Sequence, residues 1–532
     1  MKRFLLLLLF TLATGWVADA ALFDLLIQNG RIVDGTGAPA AHGDVAIRDG
    51  KVVAIGKLNA GDAAKVIDAN GLIVAPGFID VHTHAEDIVE MPVGENFIRM
   101  GVTTLMLGNC GGSELDVEKL MRDVDGKVCP NVATLIGQGT VRAHAMKGSF
   151  DRPPTDKEMT QMKELVAKAM KAGAFGLSTG LIYLPGTFSK TEEIVELAKV
   201  ASDYGGIYVS HMRDEGLEIE DALNELFRIA REAKMRAHVS HIKLSGKSAW
   251  GRSAQILSLI ERARAEGLDI TQDQYTYTAS STGISQLIPD WAREGGKFDE
   301  RLKDPATKAR IKADMLKGLK ERGFEDFSYA VIANYPITEK ASNGGRAKTD
   351  NSFNGLNIVE AARKRFTSNS LDDQVEMILQ AHKASGVFHS MNEEDMQVFL
   401  KNPNTMLASD SGVRKFGQGV PHPRGYGNNA RAIHRYVNEL GVLKLEECVR
   451  RMTSLPASAF RIAGRGQIQE GFWADILIFD DKKVEDRATF TKPHQYAGGF
   501  DYVLVNGVPV IEKGQVTDKR PGQGVRFHGG EK

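Results

Sequence analysis

His82 and His84 stand one residue apart at the end of the apolar run Phe78-Ile79-Asp80-Val81-His82-Thr83-His84. On a β-strand that spacing sends both imidazoles to the same side. A strand buried on both faces has little use for two polar rings unless something binds them. A divalent metal ion is the simplest partner, since neutral imidazole is its commonest nitrogen ligand. The pattern of an apolar run closing on a ligand-type residue then recurs along the chain. Cys110 follows Val102-Thr103-Thr104-Leu105-Met106-Leu107-Gly108-Asn109, and His211 closes Ile207-Tyr208-Val209-Ser210. His241 closes Ala237-His238-Val239-Ser240, and Asp410 closes Thr405-Met406-Leu407-Ala408-Ser409. Sulfur, nitrogen and oxygen donors together favour zinc over magnesium or calcium. Ligands drawn from separate strands suit an open catalytic site rather than a closed structural one. His238, three residues before His241, falls on the opposite face and reads as structural.

The elements that must position this set are short apolar strands alternating with helical patterns. Strand candidates end near His84, Asn109, Gly137, Ser178, His211, Ile242, Asp273 and Asp410. Asp156–Lys171, Thr191–Tyr204, Ile219–Ala233 and Ser253–Ala265 carry the three-to-four apolar spacing of surface helices. That alternation predicts an α/β fold, a (β/α)₈ TIM barrel over residues 76–464, whose active site lies at the C-terminal strand ends. The interval from Asp273 to Asp410 is too long for one crossover and predicts an inserted subdomain, about 289–352, before the last strand. Residues 21–75 and 465–532 instead show alternating stretches broken by Asn-Gly and Asp-Gly turns, the pattern of antiparallel sheet. Neither end makes a core alone, so the two are expected to join in one small β-sandwich.

Composition narrows the partners. The 532 residues are 42% hydrophobic and 25% charged, with a formal net charge of −1 and no block of basic residues. That balance argues against a nucleic-acid surface. Lys2 and Arg3 precede the apolar run Phe4 to Leu12, and Ala18-Asp19-Ala20 offers a signal-peptidase site. Residues 1–20 therefore read as a signal peptide, too short to span a membrane. The mature chain is expected to be exported, periplasmic if the source is Gram-negative. Three cysteines, Cys110, Cys129 and Cys448, are too few for a disulfide framework.

Taken together, these residues resemble the amidohydrolase superfamily, and within it the N-acyl-D-amino-acid deacylase (D-aminoacylase) branch, over nearly the whole mature chain. The general marks are Asn29-Gly30-Arg31-Ile32-Val33-Asp34-Gly35-Thr36-Gly37, the run from Ala75 to His84, and the Gly-Xaa-Xaa-Ala-Asp stretch ending at Asp475. The branch marks are Gly108-Asn109-Cys110-Gly111, Ser210-His211-Met212-Arg213, Ser240-His241-Ile242-Lys243 and His422-Pro423-Arg424. Many relatives bridge two metals with a carboxylated lysine after the fourth strand. Here that strand ends Gly176-Leu177-Ser178-Thr179-Gly180, and the resemblance implies that Cys110 takes over. It further implies a tight zinc at Cys110, His211 and His241, and a second, weaker position at His82, His84 and Asp410. Lys243, Arg424 and Tyr275 or Tyr277 would hold the substrate carboxylate. The chain departs from the branch at Gln138, where relatives carry histidine, and at Tyr275-Thr276-Tyr277, in place of Tyr-Pro-Tyr.

The reaction expected is zinc-dependent hydrolysis of the amide of an N-acyl-D-amino acid. Asp410 would act as base toward the water and then as acid toward the departing nitrogen. Other readings stay open: a cyclic-amide hydrolase of the dihydropyrimidinase or hydantoinase type, a peptide-type amidase, or an exported zinc- or peptide-binding protein without catalysis.

Overall fold

Val102–Leu107 is buried at every position, as a strand covered on both faces must be. The computed structural model describes residues 21–335, 337–339 and 348–529, so the signal read in residues 1–20 lies outside them. Eight largely buried strands follow in order: β1 (Phe78–Asp80), β2 (Val102–Leu107), β3 (Asn131–Thr134) and β4 (Gly176–Gly180). They continue as β5 (Ile207–His211), β6 (Ala237–Val239), β7 (Ile270–Gln274) and β8 (Thr405–Leu407). β1 to β3 pair parallel, and β4 to β8 pair parallel. The chain just past β3, Ile136–Gly137, pairs with β4 and joins the two sets. The ring closes beyond the ends of β8 and β1. There Asp410 N–H donates to His82 O at 2.9 Å and His84 N–H donates to Ser411 O at 2.9 Å. The result is a closed parallel barrel with its helices outside.

The outer helices form where apolar spacing and end signals agree. Asp156–Lys171 opens on a reciprocal cap, Thr155 bonding Glu158 N–H while Glu158 bonds Thr155 N–H. Ile219–Ala233 buries Leu223, Leu226, Phe227 and Ala230 on one stripe and leaves its charges outside.

The interval between β7 and β8 holds an inserted subdomain with its own core, which includes Ile311, Phe327, Ile332, Ile358 and Ile378. Its three-stranded antiparallel sheet joins Ser280–Gly283, Ser385–Phe388 and Ala330–Asn334. The insertion is wider than the expected 289–352. Helices Ile358–Phe366 and Leu371–Gln380 bury their apolar faces in this core, although their composition does not set them apart from barrel helices.

The two flanking segments meet in one nine-stranded sheet, in which Ile73–Pro76 pairs antiparallel with Ile476–Phe479. The sheet curls until Val52 N–H bonds Phe472 O at 2.9 Å, enclosing Ile27, Val45, Val74, Ile476 and Leu504. Not every pairing is antiparallel. Phe23–Ile32 runs parallel to both Ala63–Asp68 and Ile73–Pro76, because the chain crosses over after the hairpin of Ala41–Arg48 and Lys51–Gly56. The last described stretch straps the barrel, with Val132 N–H bonding Gln523 O and Val525 N–H bonding Val132 O.

Candidate metal centre

Five of the eight barrel strands deliver a ligand-type residue at the same end. His82 and His84 follow β1, Cys110 follows β2, His211 ends β5, His241 follows β6 and Asp410 follows β8. Cys110, His241 and Asp410 turn into position through left-handed backbone, with φ of 53°, 34° and 49°. Such angles cost a non-glycine residue about 1–3 kcal/mol each and gather at functional sites.

The donors converge. Cys110 Sγ lies 3.3 Å from His82 Nε2, 3.6 Å from His211 Nδ1 and 3.7 Å from His241 Nε2. Zinc bonds of about 2.05 Å to nitrogen and 2.3 Å to sulfur, at a tetrahedral angle, would set nitrogen and sulfur about 3.6 Å apart. Beside this group, Asp410 Oδ1 lies 3.2 Å from His84 Nε2 and 3.6 Å from His82 Nε2. His82 therefore stands between two clusters, one centred on the thiol and one on the carboxylate. The donor set fits a metal ion at either, and all six sequence-derived ligands are among them.

A carboxylate that the sequence reading missed forms a third cluster with His211 and His241. Glu215 Oε1 lies 2.9 Å from His241 Nδ1, and Oε2 lies 3.7 Å from His211 Nε2. Glu215 also pairs with Lys243 Nζ, which in turn lies 2.7 Å from His241 Nδ1. Burial alone would raise the Glu215 pKa, but the charges of Lys243, His211 and His241 bring it below the usual carboxylate range. Asp273 supports the other side: its Oδ1 accepts from His241 N–H at 3.0 Å, and its Oδ2 lies 3.3 Å from His82 Nδ1. Carboxylates behind ligand histidines fix ring orientation and raise ligand basicity. His238 also reaches Asp273 Oδ2, at 2.8 Å, and Thr271 Oγ1, at 2.8 Å, instead of entering the ligand group.

Tyr183, just past β4, is the other residue not singled out in advance. Its ring packs edge-on against His211, centroids 4.9 Å apart, and its hydroxyl accepts from Thr282 Oγ1 at 3.2 Å. Burial and then the Cys110 charge push its phenol well above the ordinary tyrosine value, so it stays a proton-bearing donor.

The expected substrate holders are placed differently from one another. Lys243 lines a cavity that opens between the barrel mouth and the insertion. Arg424 lies behind Asp410, its Nη1 2.9 Å from Asp410 Oδ2 and its guanidinium over the Tyr275 ring. Tyr275 is buried and directs its hydroxyl to Met391 Sδ at 3.4 Å. Tyr277 is set away from the ligands, edge-on to His422 and beneath Arg431. This corrects its expected substrate role: Tyr275 to Tyr277 lie in bent backbone past the end of β7, where the strand's alternation no longer decides which way a side chain points. Gln138 bonds Ser189 Oγ and Glu193 Oε1 in a buried knot. Cys129 and Cys448 are free and buried.

Residues 65–511 match the amidohydrolase family. The chain is 33% identical to the D-aminoacylase of Alcaligenes xylosoxydans xylosoxydans, over 95% of this chain and 98% of that protein. It is also 33% identical to the N-acyl-D-glutamate deacylase of the same organism, over 94% and 96%. Among solved structures, the N-acyl-D-glutamate deacylase of Bordetella bronchiseptica, complexed with zinc and a phosphonate mimic of the tetrahedral intermediate, superposes with a TM-score of 0.80. That match has 33% identity and covers 95% of this chain and 99% of that one.

Proposed function

The chain belongs to the amidohydrolase family, and from that premise we propose that it hydrolyses the linear amide of N-acyl-D-amino acids with zinc as its metal. The observation that carries this reading is the Cys110-centred ligand group with Asp410 at its rim. β4 ends in Ser178-Thr179-Gly180 and offers no lysine to bridge two ions, which sets the site apart from the cyclic-amide alternative. The names of its similar proteins support a linear N-acyl-D-amino acid as substrate.

Zinc, when bound, supplies a lowered pKa for water and a Lewis acid for the carbonyl. Burial opposes ionisation of Asp410, but the charges of Arg424, His241 and His82 hold it well below the usual range, so it is ionised and able to accept a proton. It takes that proton from the attacking water and returns it to the amide nitrogen as the carbon–nitrogen bond breaks. Without that return, the nitrogen would leave as an unstable anion. The Tyr183 hydroxyl donates to the oxygen on which negative charge develops. Lys243 holds the substrate carboxylate on the insertion side, and Arg424 positions Asp410.

A panel of N-acetyl-D- and N-acetyl-L-amino acids, run on protein of measured zinc content, tests the reading. Turnover of D-compounds with about one or more zinc per chain is expected. Preference for L-compounds or rings rejects the substrate class, and bound zinc without any amide hydrolysis leaves a binding protein. The leader in residues 1–20 supports export of this activity, and a mature N-terminus other than Ala21 in secreted protein would revise its boundary.

A further inference from the structure

Asp410, Tyr183, Ser281 and Thr282 line two cavities, one on each side of the metal centre. An amide held at Asp410 must send its two substituents into opposite arms of this cleft. Lys243 lines only the first arm, which draws the substrate carboxylate there. Under the deacylase reading, on which this inference rests, the acyl group enters the second arm. That arm is the larger, with about 1070 Å³ of space against about 620 Å³. Apart from residues of the metal centre, no charged side chain among the described residues lines it; its walls include Gly112, Gly139, Ala143 and Gly186 beside the neutral polar Thr140 and Thr282.

Backbone packing accounts for some of these glycines. A Cβ on Gly139 would meet Gly111 O at 2.9 Å, and one on Gly186 would meet Gly180 O at 2.6 Å. Gly112 differs. A Cβ there would meet nothing nearer than Asn109 O at 3.9 Å, and its φ lies outside the left-handed region. Gly112 is exposed and borders the open mouth of the arm, where nothing in its own backbone forbids a side chain. Ala143, half-buried on helix Gln138–Met146, narrows the same arm very little. An uncharged arm of this size favours apolar chains, each newly buried methylene strengthening binding about fourfold.

We propose that this arm is an acyl channel for neutral chains of several carbons, so that the enzyme deacylates D-amino acids carrying acyl groups longer than acetyl. Water's oxygen goes to the acyl carbon and a proton to the nitrogen, whichever chain occupies the arm.

The test measures kcat/KM of the zinc-loaded full chain on acetyl, butanoyl, hexanoyl and succinyl derivatives of one D-amino acid. The hexanoyl-to-acetyl ratio is expected above one, with butanoyl preferred to succinyl. Gly112→Leu and Ala143→Phe, each confirmed folded by circular dichroism, are expected to lower the hexanoyl-to-acetyl ratio tenfold, and a fall in either supports the channel. A wild-type ratio of one or less overturns the proposal, as does preference for succinyl or a ratio unmoved in both variants. Hydrolysis of no acyl derivative at all would instead remove the deacylase reading beneath it.

Discussion

Cys110 is the residue whose state reports most directly on the centre. Burial raises its pKa, yet the His82 charge and hydrogen bonds from His211, His241 and His82 bring it well below the ordinary thiol value. Cys129 and Cys448 move the other way, burial pushing them up to about 11 and about 12. Chelator-treated protein exposed to iodoacetamide is therefore expected to alkylate at Cys110 first, as peptide mapping would read. With the Cys110 pKa held well below the ordinary thiol value, its alkylation rate should rise less between about pH 7 and 9 than that of an ordinary thiol of pKa ~8.5. Prior zinc loading should block the reaction. Labelling of Cys110 at equal rates with and without zinc would remove it from the ligand set. Asp410 carries a separate expectation: Asp410→Asn should lower kcat by at least ~100-fold, with zinc retained at the thiol-centred cluster. Near-normal turnover would deny it the proton-transfer role.

At the scale of elements, the ligands come together because β-strands release them at one end of a closed ring, and loop backbone must then pass very close. A Cβ on Gly180, at the end of β4, would lie 2.1 Å from Cys110 O. Gly180→Ala should therefore displace the Cys110 loop and weaken zinc binding at least tenfold, while far-UV circular dichroism keeps its shape. Wild-type affinity in a competition titration would show that the loop yields. This geometry also explains what the sequence made legible. Ligand types at strand ends announced themselves twice, by chemistry and by position, so His82, His84, Cys110, His211, His241 and Asp410 could be collected before any fold was seen. Tyr183 and Glu215 lie in connections beyond the strands, whose turns depend on tertiary packing. Glu215, within Arg213-Asp214-Glu215, reads as a solvated charge until Lys243 and His241 are placed around it. The insertion's extent was hidden for a similar reason, since amphipathic helices do not disclose which core they cover.

Across the whole molecule, the curled sheet is fastened to the barrel by a buried polar knot. Asp475 pairs with Arg465, accepts from Asn506 N–H at 2.8 Å, and bonds Asn131 Nδ2 at 3.2 Å, where Asn131 begins β3. Removing one partner of a buried ion pair typically costs about 3–5 kcal/mol, because the other is left uncompensated. Asp475→Ala should lower the urea midpoint accordingly, and a loss below about 1 kcal/mol would mean that the knot is not stabilising. The same architecture has a consequence for biosynthesis. Ile73–Pro76 waits some four hundred positions for Ile476–Phe479, and Val132 waits nearly as long for Gln523–Val525. A nascent polypeptide on the ribosome thus carries unpaired sheet edges until translation is almost finished, and assembly is deferred to release. A chain stopped at Gly471 should be digested by protease under conditions that spare the complete chain. Resistance of that fragment would mean that the barrel seals itself without its latecomers.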